Sequence, residues 1–456
     1  MGRQRIGVST LLVGLLACAA VQCLAQSLGA YGAGRVESEN RSAEVDLQPG
    51  TSKSDGMGDV SGHWRGTLLA RKSADRGPLA EARRLSPTLG NPEASTATLE
   101  VALLHGFRLG GLALNTRATV QQHWTPGQAS GASFSLDEAV LSGAGPGNGY
   151  WSAGRKVVAW DVGHAFRPND TVQQEARRTL VPANVRGRPL LMVEGFDADT
   201  AWGLVWVNPG RGRQAVGAHE PALAARVFRR AGAVDWHGFV RHGQRTGASA
   251  GLAAAWVPGE ALSLHASVRR FQRHDTVNAD AWALGPALVA ANPWRAAVGG
   301  AGAQALLGGS WTGAGGLGVL MEAWYDATAP GADDWRRWTQ RQQDLRALAV
   351  AGAPVAAVAA VAGNLAWQTG ALGASPSLHR RNLFTRLSWT DGPWQPSLDW
   401  LYHPADRGHM FTLALHWQGD RVRVEGGLRV HGGPGTAVLR QIPVQQQAYT
   451  TLTWAF

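Results

Sequence analysis

Arg421, Arg423, Glu425 and Arg429 stand at alternate positions of "RVRVEGGLRV", separated mainly by Val422, Val424, Leu428 and Val430. If this stretch is extended its two faces differ in chemistry, because successive side chains of a strand point to opposite sides. One face presents guanidinium groups, which bind carboxylate or phosphate in bidentate fashion and attract anions in a water-filled space. The same kind of face recurs with Asp235, His237 and Arg241, with His265 and Arg269, and with Arg386, Asp399 and His416. Two uses of it stand open: an anion-attracting, pore-lining path, or an Arg–carboxylate network that fills and braces an interior.

"GRKVVAWDVGHAFRPND", residues 154–170, is the most distinctive segment. Arg155 and Asp161 are expected on one strand face, and Pro168, Asn169 and Asp170 in a turn leading toward Arg177 and Arg178. A loop folded inward here places charge in a passage; the other reading is a loop that packs on its outer neighbours. His164, Asp161 and Asp170 lack a recognisable metal-ligand spacing, so no metal or other cofactor is expected. Ser263, His265 and Ser267 share a face, and His265-Ala266-Ser267 is similar to the His-x-Ser of outer-membrane phospholipases. Val268-Arg269 stand where that motif has Asn-Gly, and a nucleophile–base pair needs a third group to orient it. No phosphate-binding loop or H-E-x-x-H is found, and an enzyme is not expected.

The elements that must hold these residues are legible from period 2. Phe411, Leu413, Leu415 and Trp417 share one face against Thr412, Ala414 and His416, and a Gly419-Asp420 turn leads into the arginine strand. Leu383, Leu387 and Trp389 lead through Asp391-Gly392 to Trp394, Leu398, Trp400 and Tyr402; Leu252, Ala254 and Trp256 lead through Pro258-Gly259 to Leu262 and Leu264. Such strands run about 9–11 residues, enough to cross a bilayer at a tilt, where sandwich strands are nearer about 5–6. Trp and Tyr recur at strand ends, as in an interfacial girdle. Short turns at 197–200, 258–259, 312–313, 391–392 and 419–420 alternate with longer loops near 161–188, 208–222, 271–298, 326–379 and 403–409. The pattern predicts an all-β, transmembrane antiparallel up-and-down barrel of about eighteen strands over residues 60–456, with short periplasmic turns and long extracellular loops. Within 326–379, "DDWRRWTQRQQDLRALAV" is helical in period and opened by Asp333-Asp334, acidic residues that suit a helix start. It is expected to fold into or over the lumen.

Composition agrees. The chain has 456 residues, only 17% of them charged, with 59 Gly and 20 Trp. Arg3 and Arg5, the apolar run 6–21 and Cys23-Leu24-Ala25 read as a signal peptide over residues 1–25. A rival reading makes Leu15-Leu16-Ala17-Cys18 a lipoprotein box. Cleavage after Ala25 removes both cysteines, and with them disulfides and thiolate chemistry. The formal charge of +10 falls to +8 with the loss of Arg3 and Arg5, and an exported basic chain points to acidic polymers, lipids or small anions rather than nucleic acid. Residues 26–59 are polar and Gly/Ser-rich, expected as a disordered periplasmic lead-in. The apolar run 347–363 is broken by Gly352 and Pro354 and reads as too short for a spanning helix.

Two stretches resemble known groups. Leu452-x-Trp454-x-Phe456 at the end of the chain resembles the assembly signal of Gram-negative outer-membrane barrels, which the barrel-assembly machinery reads. Gly154-Arg155-Lys156 with Trp160, then Pro168-Asn169-Asp170, resemble the "GR-x-x-x-x-W-G" strand and "N-P-x-D" loop of alginate-exporter-like and related porin-like families. Asp161 replaces the glycine after Trp160, and Arg167 precedes Pro168. The resemblance implies an eighteen-strand barrel with an Arg-lined conduit. Together with the charge pattern, the reading is a monomeric barrel in the outer membrane, among its lipid and lipopolysaccharide, passing an anionic solute or an acidic polymer such as a polysaccharide. A non-conducting barrel that anchors or assembles surface material is the alternative, followed by a phospholipase-like hydrolase.

Overall fold

The computed structural model describes residues 60–456 apart from 88, 90–94, 176–177, 182–183, 213–214, 280–293, 350–351 and 374. The expected signal peptide and lead-in, residues 1–59, lie outside the described residues. The chain runs through β1 Val60–Ser73, β2 Thr96–Leu109, β3 Leu112–Trp124, β4 Gly131–Ala144 and β5 Gly149–Lys156. It continues as β6 Arg188–Phe196, β7 Thr200–Val207, β8 Ala222–Ala231, β9 Val234–Gly243, β10 Gly247–Gly259 and β11 Leu262–Phe271. A separate hairpin, β12 His274–Ala279 with β13 Trp294–Gly299, lies in the next loop. The last barrel strands are β14 Gly302–Thr312, β15 Leu317–Asp326, β16 Arg381–Trp389, β17 Trp394–His403, β18 Gly408–Gln418, β19 Val422–Gly432 and β20 Val444–Ala455. All strands but the hairpin form one 18-stranded sheet.

Every neighbour in this sheet is antiparallel, and β20 pairs with β1 to close it, with Trp64 opposite Trp454. Gly62 N donates to Phe456 O at 3.0 Å and Phe456 N to Gly62 O at 2.9 Å. Closure leaves no unpaired edge, which removes the hazard of exposed backbone donors and acceptors. The apolar set faces outward. Trp202, Leu204 and Trp206 are exposed on β7 while Ala201, Val205 and Val207 are buried; Phe411, Leu413 and Leu415 on β18 are exposed against buried Met410, Thr412 and Ala414.

The connections at the end holding the C-terminus are all short. Between β2 and β3 only Gly110 and Gly111 intervene, at φ +57° and +81°, the paired positive φ of a type I′ hairpin. At the opposite end, 74–95, 157–187, 208–221, 272–301, 327–380 and 433–443 are long. The expected long loop near 403–409 is instead the four-residue connection 404–407. Residues 244–246 and 125–130 are short as well, so the alternation of short and long is incomplete.

Among the described residues, three α-helices belong to the long connections: α1 Pro78–Leu85 in 74–95, and α2 Ala332–Leu348 and α3 Val355–Trp367 in 327–380. α2 starts where its acidic opening predicts, Asp334 Oδ2 accepting from Gly331 N at 2.8 Å. Leu345 of α2 packs with Val361, Ala362 and Leu365 of α3 and with Ala82 of α1, and the Arg346 guanidinium binds Glu81. The run 347–363 is broken where Gly352 and Pro354 stand: α2 ends at Leu348 and α3 begins at Val355. Residues 355–373 are long and apolar enough, by length and composition alone, to cross a membrane; here the buried face of α3 rests on α1 and α2.

Candidate functional site: the barrel interior

Residues 157–187 leave β5 and turn into the barrel. Trp160, Val158 and Val172 pack on Leu190, Val205 and Phe239 of one wall. Phe166 packs on Leu306 and Phe384 of another and stacks on Trp324 at 5.5 Å. Of the two readings of this loop, the inward one is what the structure has.

Polar ties hold it there. Glu322 on β15 accepts from the backbone N–H of His164 at 2.6 Å, of Ala165 at 2.7 Å, and bonds His265 Nε2 at 2.8 Å. Asn169, fully buried, donates through Nδ2 to Ser267 Oγ at 2.9 Å and Val268 O at 3.1 Å. Two wall glycines make room: a Cβ on Gly251 would lie 1.9 Å from Asn169 Oδ1, and one on Gly308 2.6 Å from His265 Nε2. Asp161 is not on a strand face with Arg155, because β5 ends at Lys156. It sits in the loop at φ +133°, a conformation L-residues rarely adopt. Its carboxylate holds that turn by accepting from Val162 N at 2.8 Å, Asn169 N at 2.5 Å and Ser267 Oγ at 3.0 Å. Burial pushes the Asp161 carboxyl up from the ordinary range against these donors. Arg178 donates to Ala165 O at 2.8 Å and to Pro376 O, and lies 5.0 Å over the Trp324 ring; it thereby ties the inward loop to 327–380.

The strand-borne residues expected on the inner wall face inward and are mostly paired. Arg386 makes a bidentate pair with Asp399 at 2.6 and 2.7 Å. Arg423 Nη2 lies 3.1 Å from Glu425 Oε2 and 2.8 Å from His416 Nδ1, and Tyr449 donates to Glu425 at 2.5 Å. Arg241 pairs with Glu220 at 2.7 Å, both buried. Asp235 pairs with exposed Arg230 at 3.0 Å, and His237 stacks on Phe239 at 6.0 Å. Arg421 is exposed in the 419–421 turn, outside β19. Arg155 does not enter this array: it donates to Gly187 O at 3.0 Å, and its neighbour Lys156 takes the inner position, 3.1 Å from Glu194.

What remains is a smaller set of cations held only by neutral oxygens. Arg269 donates to Ser249 Oγ at 3.2 Å and Pro168 O at 3.5 Å. Arg429 donates to Thr412 Oγ1 at 2.9 Å and Arg178 O at 3.0 Å. With Arg178 they form, among the described residues, a set of inner cations without an ion-pair partner. Arg178 and Arg269 line a cavity of about 810 Å³ outside the inward loop, together with Arg167, Arg241, His403 and His431. Glu220, at its edge, is held below the ordinary carboxylate range: burial alone would raise it, but Arg241 and Thr246 outweigh that. Burial, then Arg386, push His164 down to about 4. The neutral ring can therefore accept from Arg386 Nη1 at 3.1 Å.

Sequence reasoning missed Lys156, Glu220 and Glu322 as inner residues, and had Arg178 only as part of the charged loop. Glu322 was findable, since Glu322, Trp324 and Asp326 alternate with Met321, Ala323 and Tyr325. The hydrolase arrangement is not assembled: Ser267 donates to Asp161 and His265 bonds Glu322. Gly247-Ala248-Ser249-Ala250-Gly251 spells G-x-S-x-G but lies within β10, without the strand-to-helix elbow that motif requires. His164, Asp161 and Asp170 go to separate partners.

No family model matches the chain, and no curated protein matches it in sequence. Among solved structures, it is similar to Salmonella typhi OmpF in complex with daunomycin, at 9% identity and a TM-score of 0.44, covering 88% of this chain and 97% of that one. It is also similar to a triple mutant of the Rhodopseudomonas blastica porin, at 11% identity and a TM-score of 0.40, covering 88% and 100%.

Proposed function

We propose that this protein spans the outer membrane of a Gram-negative bacterium and conducts anionic solutes, or an acidic polymer, passively through its barrel. The observation that carries this is the combination of a bare apolar outer wall with a charged inner one crossed by a tethered loop. In water, each exposed Leu-sized side chain forgoes about 1.5–3 kcal/mol of burial, and soluble proteins rarely show apolar patches beyond a few hundred Å². A ring of Trp at the short-turn end, including Trp236, Trp256, Trp311, Trp389 and Trp454, suits a membrane interface. Lipid and lipopolysaccharide surround such a wall, and the ending at Leu452, Trp454 and Phe456 is its handle for the assembly machinery.

The mechanism is electrostatic. Paired charges such as Arg386–Asp399 stiffen the wall and add little net field. Arg178, Arg269 and Arg429 lower the barrier for anions, while the 157–187 loop sets the constriction. In planar bilayers the protein should give stepwise conductance with a reversal potential on the anion side. Replacing Arg178, Arg269 and Arg429 together by Gln should move that potential toward cations. Folded protein that stays silent after its loop ties are removed overturns the reading. It supports instead a closed barrel that anchors or assembles surface material, which the deep burial of Phe166, Asn169 and Val172 favours.

A further inference from the structure

Beside the outer cavity, three potential ligands converge where β16 and β17 meet the long-loop end. His379 is the penultimate residue of the 327–380 connection, His403 is the last residue of β17, and Asp406 lies in the 404–407 connection. Their donor atoms all lie within 4.8 Å of one another. His379 Nε2 and Asp406 Oδ2 are 2.8 Å apart, and the two imidazoles meet edge-on at 5.0 Å. His403 is 1% exposed, and its Nδ1 is buried with no hydrogen-bond partner among the described residues. A buried, unsatisfied ring nitrogen costs stability, and none of its neighbours in this cluster relieves it.

We infer that His379, His403 and Asp406 form a binding site for a divalent cation of the zinc class. Two imidazoles and one carboxylate suit borderline ions, whereas calcium and magnesium take all-oxygen sets. Tetrahedral zinc with bonds near 2.0–2.2 Å sets its ligand atoms about 3.3 Å apart, within reach of small rotations from the separations here. The cation replaces the proton shared by His379 and Asp406 and engages His403, leaving a fourth position for water or an anion. Access is open from two sides: His403 lines the outer cavity, and His379 lines a second recess with Pro404 and Ala405. Asp406 is already oriented, accepting from Gly408 N and Val438 N at 2.8 Å each, the kind of support metal ligands need. A bound ion thus staples 327–380 to the end of β17 and to 404–407, and adds positive charge beside the outer cavity.

The test is zinc binding to the EDTA-washed, full-length protein in detergent, measured by calorimetry and by metal analysis after dialysis. One zinc per chain is expected, with affinity falling at least tenfold in His403→Ala and in His379→Gln, and unchanged in His105→Ala, an exposed histidine on β2. Heat-modifiable electrophoretic mobility reports folding; if His403→Ala does not fold, His379→Gln decides. Sub-stoichiometric binding by the wild type, or undiminished binding by a folded His379→Gln, overturns the inference. Neither readout depends on whether the barrel conducts.

Discussion

Glu322 is the point at which one side chain holds the inward loop, so Glu322→Ala tests the account of the constriction directly. The carboxylate accepts two backbone N–H groups of the loop, His164 and Ala165, at 2.6 and 2.7 Å. Hydrogen bonds to charged groups contribute about 1.5–3 kcal/mol each, so their loss weakens docking of this part of the loop by about 3–6 kcal/mol. At tenfold per 1.4 kcal/mol, the released fraction rises by roughly a hundredfold or more. Glu322→Gln removes the same charge but keeps one acceptor oxygen, and should give about half the effect. Single-channel recording should then show larger and noisier conductance in the order Ala, Gln, wild type. Trypsin should cut the intact protein within 157–187, at Arg178 or Arg186, in the same order. If Glu322→Ala is as resistant to trypsin and as quiet as the wild type, the ties described here do not hold the loop, and the reasoning fails.

Other outcomes follow from the same geometry. Arg386→Gln alone should shift selectivity toward cations, whereas Arg386→Gln with Asp399→Asn should leave the reversal potential unchanged, because the pair contributes no net charge. His164 is held near 4 in the docked loop against an ordinary 6.5. A released loop therefore binds more protons between those values. Docking is strongest above pH 6.5, weakens as pH falls toward 4 and is level below, so gating noise should rise across that window and flatten in His164→Gln. Gly251→Ala sets a Cβ 1.9 Å from Asn169 Oδ1. Overpacking of this kind costs about 1–3 kcal/mol, readable as faster trypsin cleavage of the loop and a lower temperature for loss of heat-modifiable mobility.

The wall and the loops differ in how much of them the sequence reveals, and β19 shows why. Its Val–Arg alternation states both that it is a strand and which face carries charge, because the side-chain period of 2 is local and repeated in each strand. Turn chemistry such as Asp391-Gly392 and Gly419-Asp420 then marks the hairpins, and the terminal Leu452, Trp454 and Phe456 take the same outward face. The 157–187 loop has no such period. Whether Asp161 serves a pore or a turn depends on Ser267, 106 positions away, and whether Arg386 is a free cation depends on its register with Asp399. α3 escaped because an Ala/Val run carries little amphipathic signal, and its partners Ala82 and Leu345 come from distant connections. His379, His403 and Asp406 show no ligand spacing along the chain. The sequence by itself therefore determined a closed barrel, its strand faces and the type of residue inside. Which charges cancel, where the loop crosses and what it is tied to were decided only by tertiary structure, since these depend on contacts between segments that carry no local record of one another.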